Sequence, residues 1–263
     1  MIPSAKIFAF LQEITPTKLV TNIAGHLATI RIPFIKNALI RTFVNVYKVD
    51  LSEAQIKQYQ EYSTFNAFFT RYLQRSARPL AAGLISPADG VVSQCGAIDA
   101  GKIIQAKGKR FAVDELLDQS VDANLFDQGS FATIYLSPRD YHRVHMPIDG
   151  ELISTHHIPG RLFSVNDATA QSISRLFCRN ERIVCLFRGT NGYFVMVLVG
   201  AMVVGGIGIT PLNTRAVPIF LKKGEELGVF YLGSTVVLLT QLGMTTLSCN
   251  AGQKIKMGEN LGS

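Results

Sequence analysis

The sequence predicts an α+β fold: a helical region over residues 1–75, followed by a mostly β domain of packed antiparallel sheets over 76–263. Three observations carry this. Helical periodicity is confined to the first 75 residues, short apolar runs separated by Gly, Pro and Asp-Gly begin at Leu84, and the longest uncharged segment is rich in Gly and Val.

Between residues 34 and 48, Ile35, Leu39, Phe43, Val46 and Tyr47 fall on one helical face and Asn37, Arg41, Asn45 and Lys48 on the other. Residues 1–50 carry Lys6, Lys18, Arg31, Lys36, Arg41 and Lys48 against Glu13 and Asp50, a net +4 in an apolar setting. Such a helix either rests on an anionic membrane or packs on the body of the protein; docking on the membrane is the expectation carried forward. Further helices are expected over 52–62 and 64–73, the latter capped by Ser63 or Thr64. Within the β region, short helices are expected over 113–117 and 167–176. Residues 190–214 are long enough to span a bilayer, but Gly192, Gly200, Gly205, Gly206 and Gly208 and the β-branched run Val195, Val197, Val199, Val203, Val204 indicate buried strands.

Composition excludes other classes. With 48% apolar and 17% charged residues among 263, the chain can fill a core and is not a disordered or collagen-like polymer. The net +7 is spread along the chain without aromatic interleaving, which argues against a nucleic-acid groove. Cys95, Cys178, Cys185 and Cys249 form no C-x-x-C pair, so reduced thiols are expected, and no metal site is expected. The N-terminus lacks the order of a secretory signal.

Three places hold candidate chemistry. Asp89 precedes Gly90 in Ser86-Pro87-Ala88-Asp89-Gly90, which reads equally as a hairpin turn. His142 and His145 lie in a block running from Ser137 to Pro147, where flanking prolines favour a loop; they are structural histidines or a general base. Two strands meet at Gly233-Ser234-Thr235, a turn in its simplest reading. Asp, His and Ser together admit a nucleophile, its base and an orienting carboxylate, yet no G-x-S-x-G elbow is present. A Gly-Ser bond beside a His also permits the Ser hydroxyl to attack its own preceding carbonyl.

Read together, these segments resemble bacterial, pyruvoyl-dependent phosphatidylserine decarboxylases. The resemblance rests on Tyr47-Lys48-Val49-Asp50, Thr64-Phe65-Asn66-Ala67-Phe68-Phe69, Pro87-Ala88-Asp89-Gly90, the 137–147 block, Pro159-Gly160-Arg161-Leu162-Phe163-Ser164-Val165-Asn166, Arg179-Asn180-Glu181-Arg182 and Leu232-Gly233-Ser234-Thr235. It implies a proenzyme that cuts itself between Gly233 and Ser234 into a β chain, 1–233, and an α chain, 234–263, with Ser234 becoming the pyruvoyl group. By the same resemblance His145 is the base, Asp89 orients it, His142 is the proton donor or carboxylate contact, and Ser164 lies near the substrate. The implied partner is phosphatidylserine in an anionic membrane, met by a homodimer held peripherally on the cytoplasmic side of the cell membrane. The chain departs from the family pattern at 205–222, where a longer, Trp-containing hairpin is usual and this sequence is short and has no Trp. The alternatives are a β-rich lipid-binding module that never cuts itself, and a conventional serine hydrolase.

Overall fold

The computed structural model describes residues 12, 17–106, 108–201, 206–213, 216–231 and 234–262. Two helices open the chain, α1 (Thr17–Ala28) and α2 (Pro33–Tyr47), followed by a short α3 (Phe65–Phe69). Pro33 is pre-organised for the first turn of α2, and Lys48 ends that helix in the left-handed region. Thr64 caps α3 by accepting a hydrogen bond from the Ala67 amide at 3.0 Å.

The remainder is strand-rich. Its strands are β1 (Leu84–Ile85), β2 (Gly90–Ala97), β3 (Lys102–Ala106), β4 (Lys109–Ala112), β5 (Ser130–Leu136), β6 (Arg143–His145), β7 (Gly150–Ile158), β8 (Arg182–Gly189), β9 (Gly192–Gly200), β10 (Ile207–Ile209), β11 (Ile219–Leu221), β12 (Glu226–Phe230), β13 (Ser234–Thr240), β14 (Lys254–Ile255) and β15 (Asn260–Gly262). Helix α4 (Val113–Leu117) follows β4, and α5 (Asp167–Ser172) and α6 (Leu176–Arg179) precede β8. An eight-stranded antiparallel sheet runs β11-β7-β8-β9-β13-β5-β2-β14, and a three-stranded sheet runs β10-β12-β6.

Period-two alternation sends each central strand into two cores. Val195, Val197 and Val199 of β9, with Val237 and Leu239 of β13, join the cluster that holds α4 and α6; Met196, Leu198, Val236 and Leu238 join the cluster that holds β6 and β12. A sheet covered on both faces needs near-continuous apolar strands, and β13 is buried at every position. Within 190–214 the described residues form β9, β10 and a 3₁₀ turn (Thr210–Asn213), and no described helix is long and apolar enough to cross a membrane.

Four expectations are corrected. Residues 52–62 form no α-helix beyond a short 3₁₀ turn (Tyr59–Glu61), because the backbone pairs with a distant segment: the Gln55 amide donates to the Tyr72 carbonyl, and that of Gln74 to the Glu53 carbonyl. The same pairing stops α3 at Phe69, short of residue 73. The helix over 167–176 breaks where Arg175 takes φ of 54°. Cys95 and Cys249 are joined in a disulfide across 154 positions, which no local spacing could reveal. Packing of α2 also differs in detail: Lys36 and Ile40 are its buried residues, whereas Phe34, Val46 and Tyr47 remain exposed.

Candidate active site

Ser234 is the first residue of β13 and sits between two strands, opposite Leu136 of β5 and Gly200 of β9. It is fully buried, and among the described residues its Oγ has no hydrogen-bond partner. An unpaired buried hydroxyl forfeits its hydration without return, which native structures tolerate rarely and mostly where chemistry needs the group. Leu232 and Gly233, the residues before the expected cut, lie outside the described residues, as does Gly205. Strands β12 and β13 belong to different sheets, so the segment between them is a crossing from one sheet to the other and not a hairpin turn.

His145 ends β6, and its amide donates to the Pro87 carbonyl at 2.8 Å, which ties the histidine strand to the Asp89 loop. Its Nδ1 donates to the Gly224 carbonyl at 2.9 Å, so Nε2 carries the lone pair and accepts from the Tyr141 hydroxyl at 2.9 Å. Burial holds its pKa below the ordinary 6.5, leaving a neutral imidazole available as a base.

His142 is wholly buried against Phe69, with ring centroids 4.0 Å apart. Its Nδ1 donates to the Asp140 carbonyl at 2.8 Å, and its Nε2 has no partner among the described residues. Burial, assisted by the charge of Arg71, lowers its pKa from 6.5 to about 3. The sign of the linkage follows. Between those values the unfolded chain binds a proton that the folded chain refuses, so stability is full above about 6.5 and falls as pH drops, by up to about 1.4 kcal/mol per pH unit. Denaturant melts of an uncut Ser234→Ala chain are expected to show this acid loss, and His142→Asn should flatten it by about one proton; equal slopes for the two would contradict it.

The carboxylate of Asp89 is taken up by groups other than the imidazole. It accepts from Nε and Nη2 of Arg78 and from the Met257 amide at 2.8 Å. Gly90 is required next to it, since a Cβ there would stand 2.2 Å from the Tyr135 carbonyl oxygen. No hydrogen bond joins Asp89, His145 and Ser234 to one another among the described residues; the imidazole is set by Tyr141 and Gly224 instead. Ser164 is half-buried on a loop fastened by Asn180, whose side chain bonds both Phe163 backbone groups and the carbonyl of Gly200, the register partner of Ser234. The structure thus links Ser164 to Ser234 through one buried amide and does not bring them into contact.

Several residues of the site carry little trace in the sequence. Arg143 makes two 2.8 Å bonds to Glu226 and so clamps β6 to β12. Arg78 bridges Asp89 and Glu53, and Lys256 reaches Glu53 at 2.9 Å. Position inside the 137–147 block could have flagged Tyr141; nothing local marks Arg78.

A buried hydroxyl with no partner among the described residues, in a fold that also buries two neutral imidazoles, is the equipment of a covalently acting enzyme, and comparison with known proteins narrows the class to lyases that release CO2. A family profile described as Phosphatidylserine decarboxylase matches residues 65–263, and a second, described as PSD, matches 7–48. Among curated relatives, the phosphatidylserine decarboxylase proenzyme of Alcanivorax borkumensis is 46% identical, covering 98% of this chain and 96% of its own. The proteins of the same description from Psychrobacter arcticus (43%; 97% and 98%) and Bordetella pertussis (46%; 97% and 94%) match as fully. The chain belongs to the phosphatidylserine decarboxylase family.

Proposed function

We propose that this chain is a precursor that cuts itself between Gly233 and Ser234, and that the two products together convert phosphatidylserine to phosphatidylethanolamine and CO2. The observation that carries the reading is Ser234 itself, a hydroxyl without a partner among the described residues at the head of a buried central strand. Its Oγ adds to the Gly233 carbonyl carbon while His145 takes the hydroxyl proton and returns it to the leaving nitrogen, so that the amide becomes an ester. In the uncut chain the His145 lone pair faces Tyr141, so the proton reaches it through the Tyr141 hydroxyl or once that hydroxyl has turned aside. Removal of the Ser234 α-proton then expels the 1–233 carboxylate and leaves dehydroalanine, which takes up one water and releases one ammonia. Asp89, whose charge is shared with Arg78, supports the imidazole at longer range than a direct bond.

The surroundings of position 234 fit a group made from Ser234, because the hydroxyl is buried and has no partner among the described residues. The pyruvoyl carbonyl would supply the electron sink for the pair left by departing CO2. His142 holds a neutral ring whose free Nε2 carries the lone pair, suited to taking a proton from the substrate amine as it condenses and returning it to the product carbon. Ser164, on the loop anchored through Asn180, is assigned to the substrate side. Incubation with carboxyl-labelled phosphatidylserine tests the reading: labelled CO2 that hydroxylamine abolishes supports it, and hydroxylamine-insensitive release contradicts it.

We place the chain peripherally on an anionic membrane through α1 and α2. Leu27, Phe34, Leu39, Phe43, Val46 and Phe65 line an apolar groove of about 590 Å³, and exposed Arg31, Arg41 and Lys48 stand on the same two helices and their ends. Phe34 is 85% exposed, a poor position for a phenyl ring in water and a good one in a bilayer. Phe34→Glu is expected to cost about 2 kcal/mol of vesicle binding, which is roughly a 30-fold weakening. Co-sedimentation with phosphatidylserine vesicles checks it, and turnover of soluble dihexanoyl-phosphatidylserine should be unchanged. On the cytoplasmic face, which the family resemblance favours along with a homodimer, the Cys95–Cys249 bridge would be open in the cell and form in air.

A further inference from the structure

Arg71 follows the aromatic run of α3, is 4% exposed, and its guanidinium is only partly used. Nη2 donates to the carbonyls of Arg139 at 2.9 Å and Asp140 at 3.3 Å, while Nε and Nη1 have no partner among the described residues. A buried cation with unfilled donors is one of the costliest arrangements a fold can hold. The carboxylates nearby are already engaged. Asp50 is bonded by Ser52, Asp140 by Ser137, Glu53 by Arg78 and Lys256, and Asp89 by Arg78.

A second unfilled group, an acceptor, is tied to the same carbonyl oxygen. The Asp140 carbonyl that accepts from Arg71 also accepts from His142 Nδ1 at 2.8 Å, and the Nε2 of His142 is likewise unpaired. Arg71 forms part of the wall of two cavities, of about 360 and 300 Å³. A chain of ring contacts leads from the apolar groove to this point: Phe65 lines the groove and stacks on Phe69, and Phe69 lies on His142. An amphiphile with its chains in the groove would bring its polar end to Arg71.

We propose that the free Nε and Nη1 of Arg71 form the oxyanion-binding site for the lipid head group, beside the lone pair that His142 Nε2 carries. This rests on the decarboxylase reading above and adds which residue holds the charge. Arg suits the task because its charge persists on burial and its several N–H groups match an oxyanion. The oxyanion is either the carboxylate that is lost or the phosphodiester that remains, and the product distinguishes them, since phosphatidylethanolamine keeps only the phosphodiester.

The test compares wild type, Arg71→Gln and Arg71→Lys as full-length chains, with intact mass as the check that each has cut itself. Soluble dihexanoyl-phosphatidylserine is the substrate and dihexanoyl-phosphatidylethanolamine the product inhibitor, so that membrane docking is not read. The expected result is a KM raised about tenfold or more in cut Arg71→Gln, with kcat changed less and Arg71→Lys intermediate. Weakened inhibition by the product to the same degree assigns the phosphodiester; unchanged inhibition assigns the carboxylate. An unchanged KM in either cut variant overturns the proposal, as does a folded but uncut chain in both, which would make Arg71 part of the cutting machinery. A wild-type chain that does not cut itself, or cuts itself and releases no CO2, sinks the decarboxylase reading and not this site alone.

Discussion

Ser234→Ala is expected to abolish both chain cutting and CO2 release while leaving the fold intact. The loss should be large, about 10⁶-fold or more, because the substitution removes the source of the catalytic group and not one of several aids to it. Stability should not suffer. The hydroxyl has no partner to abandon, and β13 is held to β5 and β9 through backbone pairing that alanine preserves. Deleting an unpaired buried hydroxyl is neutral, or stabilising by about 1 kcal/mol. Thermal melts and labelled CO2 release on the same preparation check both halves. A cut, active Ser234→Ala chain would end the account, whereas an unfolded one would show that the hydroxyl carries a structural bond.

The second large effect concerns stability. Asp89→Ala should cost about 2–3 kcal/mol, because it strips the Arg78 guanidinium, whose side chain is 7% exposed, of the carboxylate that accepts from its Nε and Nη2 and leaves it only the more exposed Glu53. The Met257 amide loses its acceptor at the same time, and Met257 belongs to the segment that becomes the second chain. Melts should be made in the Ser234→Ala background, where a single uncut chain unfolds. Substituting Arg78 by Leu together with Asp89→Ala should recover part of the loss, as the removal of both charges does for a buried pair. A loss below about 1 kcal/mol for Asp89→Ala, or strict additivity of the two changes, would show that the pair is no more than a surface contact.

Much of the fold is written locally. The period of α2, the Thr64 cap and the uninterrupted apolar run of β13 can each be read within a dozen residues, and each stands where the pattern puts it. Three of the four errors share one cause, pairing between distant segments. Residues 52–62 have helical composition, but Gln55 and Glu53 bond Tyr72 and Gln74, and that pairing outweighs propensity. Cys95 meets Cys249 for the same reason. Within the site, Asp89, His142, His145 and Ser234 stand out because their motifs occur together, yet the partners that fix them do not. Arg78 captures Asp89, Tyr141 and the Gly224 carbonyl hold His145, and Arg71 shares an oxygen with His142. Each such contact depends on side-chain direction, which a motif does not encode.

The central claim is that the chain cuts itself between Gly233 and Ser234, and intact mass of the denatured protein, with and without reductant, tests it most directly. Cys95 lies before the cut and Cys249 after it, so the air-oxidised protein should run as one bridged species without reductant. Its mass should equal that of the disulfide-bonded precursor with one water gained and one ammonia lost. With reductant it should separate into residues 1–233 and a chain of 234–263 that has no free amino terminus. A single 263-residue chain that keeps an intact Ser234 under reducing conditions would contradict the account.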